Sequence, residues 1–195
     1  MERTILSVSW WHALSSSWKQ AFAETCFRHN GEPNLLELEQ VYSAPALRFA
    51  GPGAPYPNMS LELEDLSGLK ALNNLEILVF THHRLKNVAG IEHLFGLKSL
   101  FLNNNQINNL QGIEGLTVLR QLYVQHNYIS SIHPIAGLVH LEELYIHDNL
   151  LDSLEGITDE HAEKLDKLIC KPNEGLKQKE LIRVEREFGI RCRSL

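Results

Sequence analysis

The sequence has little cysteine, no long hydrophobic run and no excess of basic residues, and each shortage excludes a class of protein. It carries three cysteines among 195 residues, which is too few for a disulfide-rich secreted scaffold. No apolar run reaches the roughly 18 residues that a transmembrane helix needs. The first residues, up to Trp18, contain one arginine and a short apolar run without a small-residue cleavage pattern, so we expect no signal peptide.

Acidic residues outnumber basic ones, which bears on the kind of partner. The chain has 18 Lys and Arg against 24 Asp and Glu, for a formal net charge of −6, and the acidic residues are spread along the sequence. Nucleic acids and anionic membranes attract basic surfaces. We therefore expect neither of them to be a partner.

The sequence also lacks the motifs of common enzymes. GxSxG, the Walker loop, GxGxxG and HExxH are all absent. Cys26 and His29 stand three positions apart, but no second ligand pair follows them, so we expect no zinc site there. We predict that the chain is not an enzyme and needs no cofactor.

The cysteines bear on the cellular compartment. Cys26, Cys170 and Cys192 all lie among apolar residues. Their simplest interpretation is as buried thiols in a reducing compartment, so we predict a cytoplasmic location. A bridge between Cys170 and Cys192 is the alternative, because both are expected in strands near the end of the chain.

What the sequence has instead is a repeat. The stretch LKSLFLNNNQINNLQGIEGL, at 97–116, changes abruptly from strand-like alternation to a spacing of three residues. Shifted by 22 residues, the same pattern returns at 75–96, at 119–140 and from 141 onward. Fixed periods of about 20–30 residues are typical of solenoids, in which each repeat adds one coil.

The repeated pattern, L-x-x-L-x-[LFVI]-x-x-[NH]-x-[LI], resembles that of the leucine-rich repeat family over roughly residues 44–173. It is similar to the short 22-residue class, which occurs in bacterial internalins and in a regulatory subunit of protein phosphatase 1. The resemblance implies an α/β solenoid: a right-handed superhelix with a parallel β-sheet on the concave side and short 3₁₀ or irregular segments on the convex side. Helical caps at both ends are expected, because a solenoid must cover its terminal repeats.

The flanking segments supply candidate caps for a single domain over residues 1–195. We divide it into a helical N-terminal cap (1–43), repeats with a Pro- and Gly-rich insertion at 50–60 (44–173), and a helix–strand C-terminal cap (174–195). Apolar spacing and helix start signals predict helices at 13–28, 34–42, 158–168 and 175–189, followed by a strand at 190–192.

Within one repeat, the strand around Leu100–Leu102 and the positions of Ile107, Leu110, Ile113 and Leu116 should point inward and stack on the next coil. The turn after each strand leaves buried backbone groups without a sheet partner, and an inward amide can pair with both donor and acceptor. This predicts a structural ladder at His83, Asn105, Asn127, Asn149 and Asn173.

Strand alternation also predicts which residues face the concave side. Phe101, Tyr123 and Tyr145 share one repeat position and should form an aromatic stripe. Aromatic residues are typical anchors of protein interfaces. The polar residues predicted to surround the stripe and join it in binding a partner are Asn103, Gln125, His126, His147, Asp148 and His82.

Two other interpretations of these residues stay open. In the first, the stacked aromatics serve only the stability of the sheet, and their polar neighbours keep it soluble. A zinc site built from His126, His147 and Asp148 is a narrower alternative, although most exposed histidines bind nothing, and we predict no metal.

The predicted function is therefore that of a non-catalytic module that captures a protein partner on its concave sheet, as an adaptor does. The alternative is a regulator or inhibitor of an enzyme such as a phosphatase or a toxin, because acidic surface can cover a basic active site. The same scaffold serves unrelated partners, so the partner itself is not predicted.

Overall fold

Seven parallel strands in sequence order form one open sheet in the computed structural model, which describes residues 2–194. Leu100, Leu122 and Leu144 lie opposite one another in register, so each 22-residue shift in sequence is one coil in space. The predicted α/β solenoid is confirmed. The strands are β1 (Ala46–Ala50), β2 (Ile77–Thr81), β3 (Ser99–Phe101), β4 (Gln121–Tyr123), β5 (Glu143–Tyr145), β6 (Lys167–Lys171) and β7 (Cys192–Ser194).

The core lies between the sheet and the return segments. Leu100, Ile107, Leu110, Ile113 and Leu116 are all fully buried, as the repeat pattern predicts. Each such side chain gains about 1.5–3 kcal/mol when it leaves water. Because the contacts are mainly with the coils above and below, the stability of one repeat depends on its neighbours.

The convex side carries short 3₁₀ helices at Ser67–Leu69, His133–Ile135 and Asp159–His161. The prediction of a helix over 158–168 is wrong beyond the last of these. The backbone N–H of Thr158 donates to Nδ1 of the fully buried His161, 3.1 Å away, and the chain then turns into β6 at Lys167. The segment therefore forms one short 3₁₀ helix, Asp159–His161, rather than an α-helix.

Three helices cover the first repeat: α1 (Glu2–Ala13), α2 (Ser16–Phe22), which continues as a π-helical turn at Ala23–Phe27, and α3 (Leu35–Tyr42). The predicted helix at 13–28 instead starts at Ser16, where the Ser15 hydroxyl accepts a hydrogen bond from the Trp18 N–H. The sequence did not predict α1, since its apolar residues form no long run. The buried Trp18 packs on Phe49 and Phe80, with ring centroids 5.3 and 6.0 Å away.

The C-terminal end is closed by α4 (Gln178–Phe188), which stops at Gly189 in the left-handed conformation, and by β7. Cys170 and Cys192 form a disulfide between β6 and β7, with Cα atoms 5.7 Å apart. The prediction of three buried thiols is therefore wrong for two of them. The cytoplasmic location stays a prediction. Within residues 2–194, no helix has the length and apolar character to cross a membrane.

Candidate functional site

Three aromatic rings form a continuous stack on the face of the sheet turned away from the core. Phe101 and Tyr123 have ring centroids 4.7 Å apart, and Tyr123 and Tyr145 have centroids 4.1 Å apart with planes inclined by only 16°. All three are half-buried. They occupy equivalent positions in β3, β4 and β5, whose in-register pairing aligns them. We call these three residues the aromatic stripe.

One border of the aromatic stripe is a polar row that the sequence interpretation missed. The Ser99 hydroxyl donates to Gln121, 2.7 Å away, and the Tyr123 hydroxyl donates to the Glu143 carboxylate. Burial and this contact raise the pKa of Tyr123. Lys167 lies 4.0 Å from Glu143 and 5.0 Å from the centroid of the Tyr145 ring.

This row had a signal in the sequence. Residues two positions before the stripe point to the same face of a strand, since side chains alternate with a period of two. The residues two positions before Phe101, Tyr123 and Tyr145 are Ser99, Gln121 and Glu143.

The other border follows the ends of the strands. His82, Asn104, His126 and Asp148 occupy one repeat position, and all have positive φ, between 51° and 60°. Asn, Asp and His adopt this left-handed conformation more readily than other non-glycine residues. The backbone therefore gives a structural reason for these residue types. His126 is exposed, whereas His82 and Asp148 are half-buried, as are Asn103 and Gln125 in the adjacent position.

The placement of His147 differs from the prediction. It was expected to present its ring to a partner, but it is only 2% exposed. The rings of His126 and Tyr145 lie 5.3 and 6.3 Å from its own. Burial lowers the pKa of His147 and so favours the neutral imidazole. Its side chain can therefore support the surface but offers a partner little contact area.

The residues predicted as a ladder lie beneath this border. The Asn127 amide donates to the carbonyls of Leu102 and Val124, both 3.0 Å away, and accepts from the Ile107 N–H at 2.9 Å. Asn105, Asn149 and Asn173 make equivalent bonds.

His83 occupies the ladder position in the first regular coil. Its Nδ1 accepts from the Leu63 N–H at 3.2 Å, and its ring lies 4.3 Å from that of Phe80. Because the ring is buried, the pKa of His83 falls to about 4. A neutral imidazole thus takes over the accepting contact of the amide.

The insertion at 50–60 is folded back on β1. The Asn58 side chain accepts from the Ala50 N–H at 2.7 Å and donates to the Arg48 carbonyl at 2.8 Å. Arg48 in turn donates to the Tyr56 carbonyl. Tyr56 is 82% exposed, so the insertion presents a large aromatic side chain at the first strand of the sheet.

Comparison with known proteins supports this architecture. Residues 96–135 and 117–159 match the family model described as leucine-rich repeats in two copies. A comparison with curated proteins found no match. Among solved structures, an internalin of Listeria monocytogenes is 23% identical with a TM-score of 0.58, over 62% of this chain and 34% of the internalin. A leucine-rich repeat protein of Leptospira interrogans is 22% identical with a TM-score of 0.62, over 82% of this chain and 39% of that protein.

A third solved structure is the leucine-rich repeat ectodomain of the plant receptor kinase GASSHO1/SCHENGEN3 of Arabidopsis thaliana. It is 19% identical, with a TM-score of 0.52 over 72% of this chain and 17% of the ectodomain. The alignments with the internalin and the Leptospira protein span 34% and 39% of those chains.

The strands and return segments together define a solenoid with one open parallel sheet. Residues 96–159 match the leucine-rich repeat family model, and the fold of the chain is similar to that of solved leucine-rich repeat structures.

Proposed function

We propose that this chain is a non-catalytic module that captures a protein partner on its concave sheet, as an adaptor does. The observation that carries the proposal is the aromatic stripe, with stacked centroids 4.7 and 4.1 Å apart and rings that remain partly accessible. Large aromatic side chains at the centre of a surface are typical energetic anchors of protein interfaces. Repeat proteins also use their concave faces for binding.

The rings are held in place before any partner arrives. Tyr123 stacks on a ring at each side, and its hydroxyl is bonded to Glu143. Lys167 covers the outer ring, Tyr145. A side chain that is already ordered loses less conformational entropy on binding, and each rotamer-rich side chain immobilised at an interface costs about 0.5–1.5 kcal/mol.

The polar borders indicate the chemistry of the partner. Glu143 and Lys167 lie on one side of the aromatic stripe, and Asp148 and His126 on the other. A fitting partner places an apolar centre on the stripe and hydrogen-bonding groups of both charge signs around it. One of the similar structures, the Arabidopsis ectodomain, is in complex with CASPARIAN STRIP INTEGRITY FACTOR 2, which supports a recognition role for this fold.

Affinity purification with the immobilised chain, followed by mass spectrometry, tests the proposal. We expect Tyr123→Ala combined with Tyr145→Ala to lose the partner that the natural chain captures. The matched control is Tyr128→Ala with Leu150→Ala, which also removes two large side chains, 56% and 60% exposed, from equivalent positions outside the stripe.

Circular dichroism must first show that both double variants are folded. Capture of the same partner by the stripe variant would refute the proposal, and so would equal loss in the control. The alternative role, as regulator or inhibitor of an enzyme such as a phosphatase or toxin, is supported only by the net charge of −6. It requires that the captured protein be an enzyme whose turnover falls when this chain binds.

A further inference from the structure

Three groups with metal-binding side chains meet beside the aromatic stripe. Nδ1 of His126 lies 3.4 Å from Oδ2 of Asp148, and Nε2 of His147 lies 3.7 Å from the same oxygen. One donor atom from each of the three residues lies within 4.8 Å of the other two. No other group of this kind occurs among residues 2–194.

The separations fit metal ligands better than hydrogen-bond partners. Nitrogen–oxygen hydrogen bonds are about 2.7–3.2 Å long, shorter than both contacts to the Asp148 carboxylate. Zinc holds nitrogen and oxygen ligands at about 2.0–2.1 Å, so two ligands on one tetrahedral ion lie about 3.3 Å apart. The two contacts are therefore close to the edge length of a zinc tetrahedron.

The repeat explains why these groups converge. His126 and Asp148 occupy the same position in successive coils, both in the left-handed conformation, and adjacent strands lie about 4.8 Å apart. His147 directly precedes Asp148. One coil earlier, the equivalent position holds Asn104, whose neutral amide is a poorer ligand for zinc.

His147 is the buried member of the cluster. Its side chain is 3% exposed, and its Nδ1 is buried without a hydrogen-bond partner. Nε2, the other ring nitrogen, lies 3.7 Å from Oδ2 of Asp148 and is the nitrogen that can reach an ion held by the cluster.

We propose that His126, His147 and Asp148 form a Zn²⁺ site with three protein ligands. The side chains of His126 and Asp148 are 47% and 36% exposed, which leaves the cluster accessible to solvent on one side. A fourth ligand, water or a donor atom of another molecule, completes the coordination from the concave face. Two imidazoles and one carboxylate with one open position are a common zinc ligand set.

Isothermal titration calorimetry with Zn²⁺ on the untagged full chain tests the site, with Co²⁺ absorption as a report on tetrahedral geometry. We expect one ion per chain and weaker binding by about 100-fold or more in His126→Asn and in Asp148→Asn, since even outer-shell partners are worth about 10- to 100-fold. Asparagine tolerates the left-handed backbone at both positions.

The control is His140→Asn, which removes an exposed histidine away from the cluster and should leave zinc affinity unchanged. Circular dichroism of each variant verifies that the fold is intact. The proposal is overturned if the natural chain does not bind zinc, or if both cluster variants retain its affinity. A loss of affinity in the control equal to that in the cluster variants would also overturn it.

Discussion

The asparagine triplet at 103–105 offers a stringent test of how the coils are held together, because its members are adjacent in sequence but differ in environment. Asn105 is buried, and its amide donates to the carbonyls of Phe80 and Leu102, both 2.9 Å away. Its oxygen accepts from the Leu85 N–H at 3.3 Å. The side chain thus joins two successive coils.

In Asn105→Ala, some of the backbone groups that the amide contacts keep another hydrogen-bond partner and others do not. The Leu102 carbonyl still accepts from Asn127 at 3.0 Å, whereas the Phe80 carbonyl and the Leu85 N–H lose the amide. Two buried polar groups that lose a partner cost about 1–3 kcal/mol each. We therefore expect the free energy of unfolding to fall by about 2–6 kcal/mol.

Urea unfolding followed by circular dichroism measures this change. The control is Asn103→Ala, which truncates a half-buried side chain on the concave face and should change stability by less than about 0.5 kcal/mol. A loss below about 1 kcal/mol for Asn105→Ala, or an equal loss in both variants, would contradict the role of the ladder.

Two further predictions concern the backbone and pH. Gly156 has φ of 120°, and a Cβ added there would lie 2.2 Å from the Ile132 carbonyl oxygen, so Gly156→Ala should lower the melting temperature. The control is Gly137→Ala, which should not lower it because nothing lies within 4 Å of the added Cβ. Equal shifts of the melting temperature in the two variants would refute this prediction. The pKa of His83 is about 4 in the folded chain, below the ordinary 6.5. Below pH 6.5 the unfolded chain therefore binds more protons, and stability should fall by up to about 3 kcal/mol as the pH drops toward 4. Denaturant titrations across this pH range should show that His83→Asn loses less unfolding free energy than the natural chain as the pH falls. If the two proteins lose the same amount, His83 is not the group responsible for the pH dependence.

The periodic part of the structure could be predicted because it follows from local rules. Phe101, Tyr123 and Tyr145 share one repeat position, so the 22-residue period alone places them on neighbouring coils, where their rings stack. The same rule predicts the inward leucines. Strand alternation also places Ser99, Gln121 and Glu143 on the concave face, two positions before the stripe, and Lys167 pairs with Glu143 in the next strand.

Other features depend on contacts between segments that do not occupy equivalent positions in the repeat. The sequence did not predict the burial of His147, which depends on how closely the neighbouring side chains pack around it. The disulfide required that β6 and β7 be adjacent. The helix α1 is held by packing of Trp10 and Trp11, and its sequence pattern alone did not indicate it.

The sequence by itself determined the coil, its period, the inward and outward faces and the ladder position, because stacking identical units requires the same side-chain chemistry at each turn. The tertiary structure alone decided which polar groups meet. The 3.4 and 3.7 Å contacts of Asp148 arise from a left-handed backbone position that brings His126, His147 and Asp148 together. Hydrophobic periodicity specifies which face a residue occupies, whereas distances between side chains on that face depend on backbone conformation and packing.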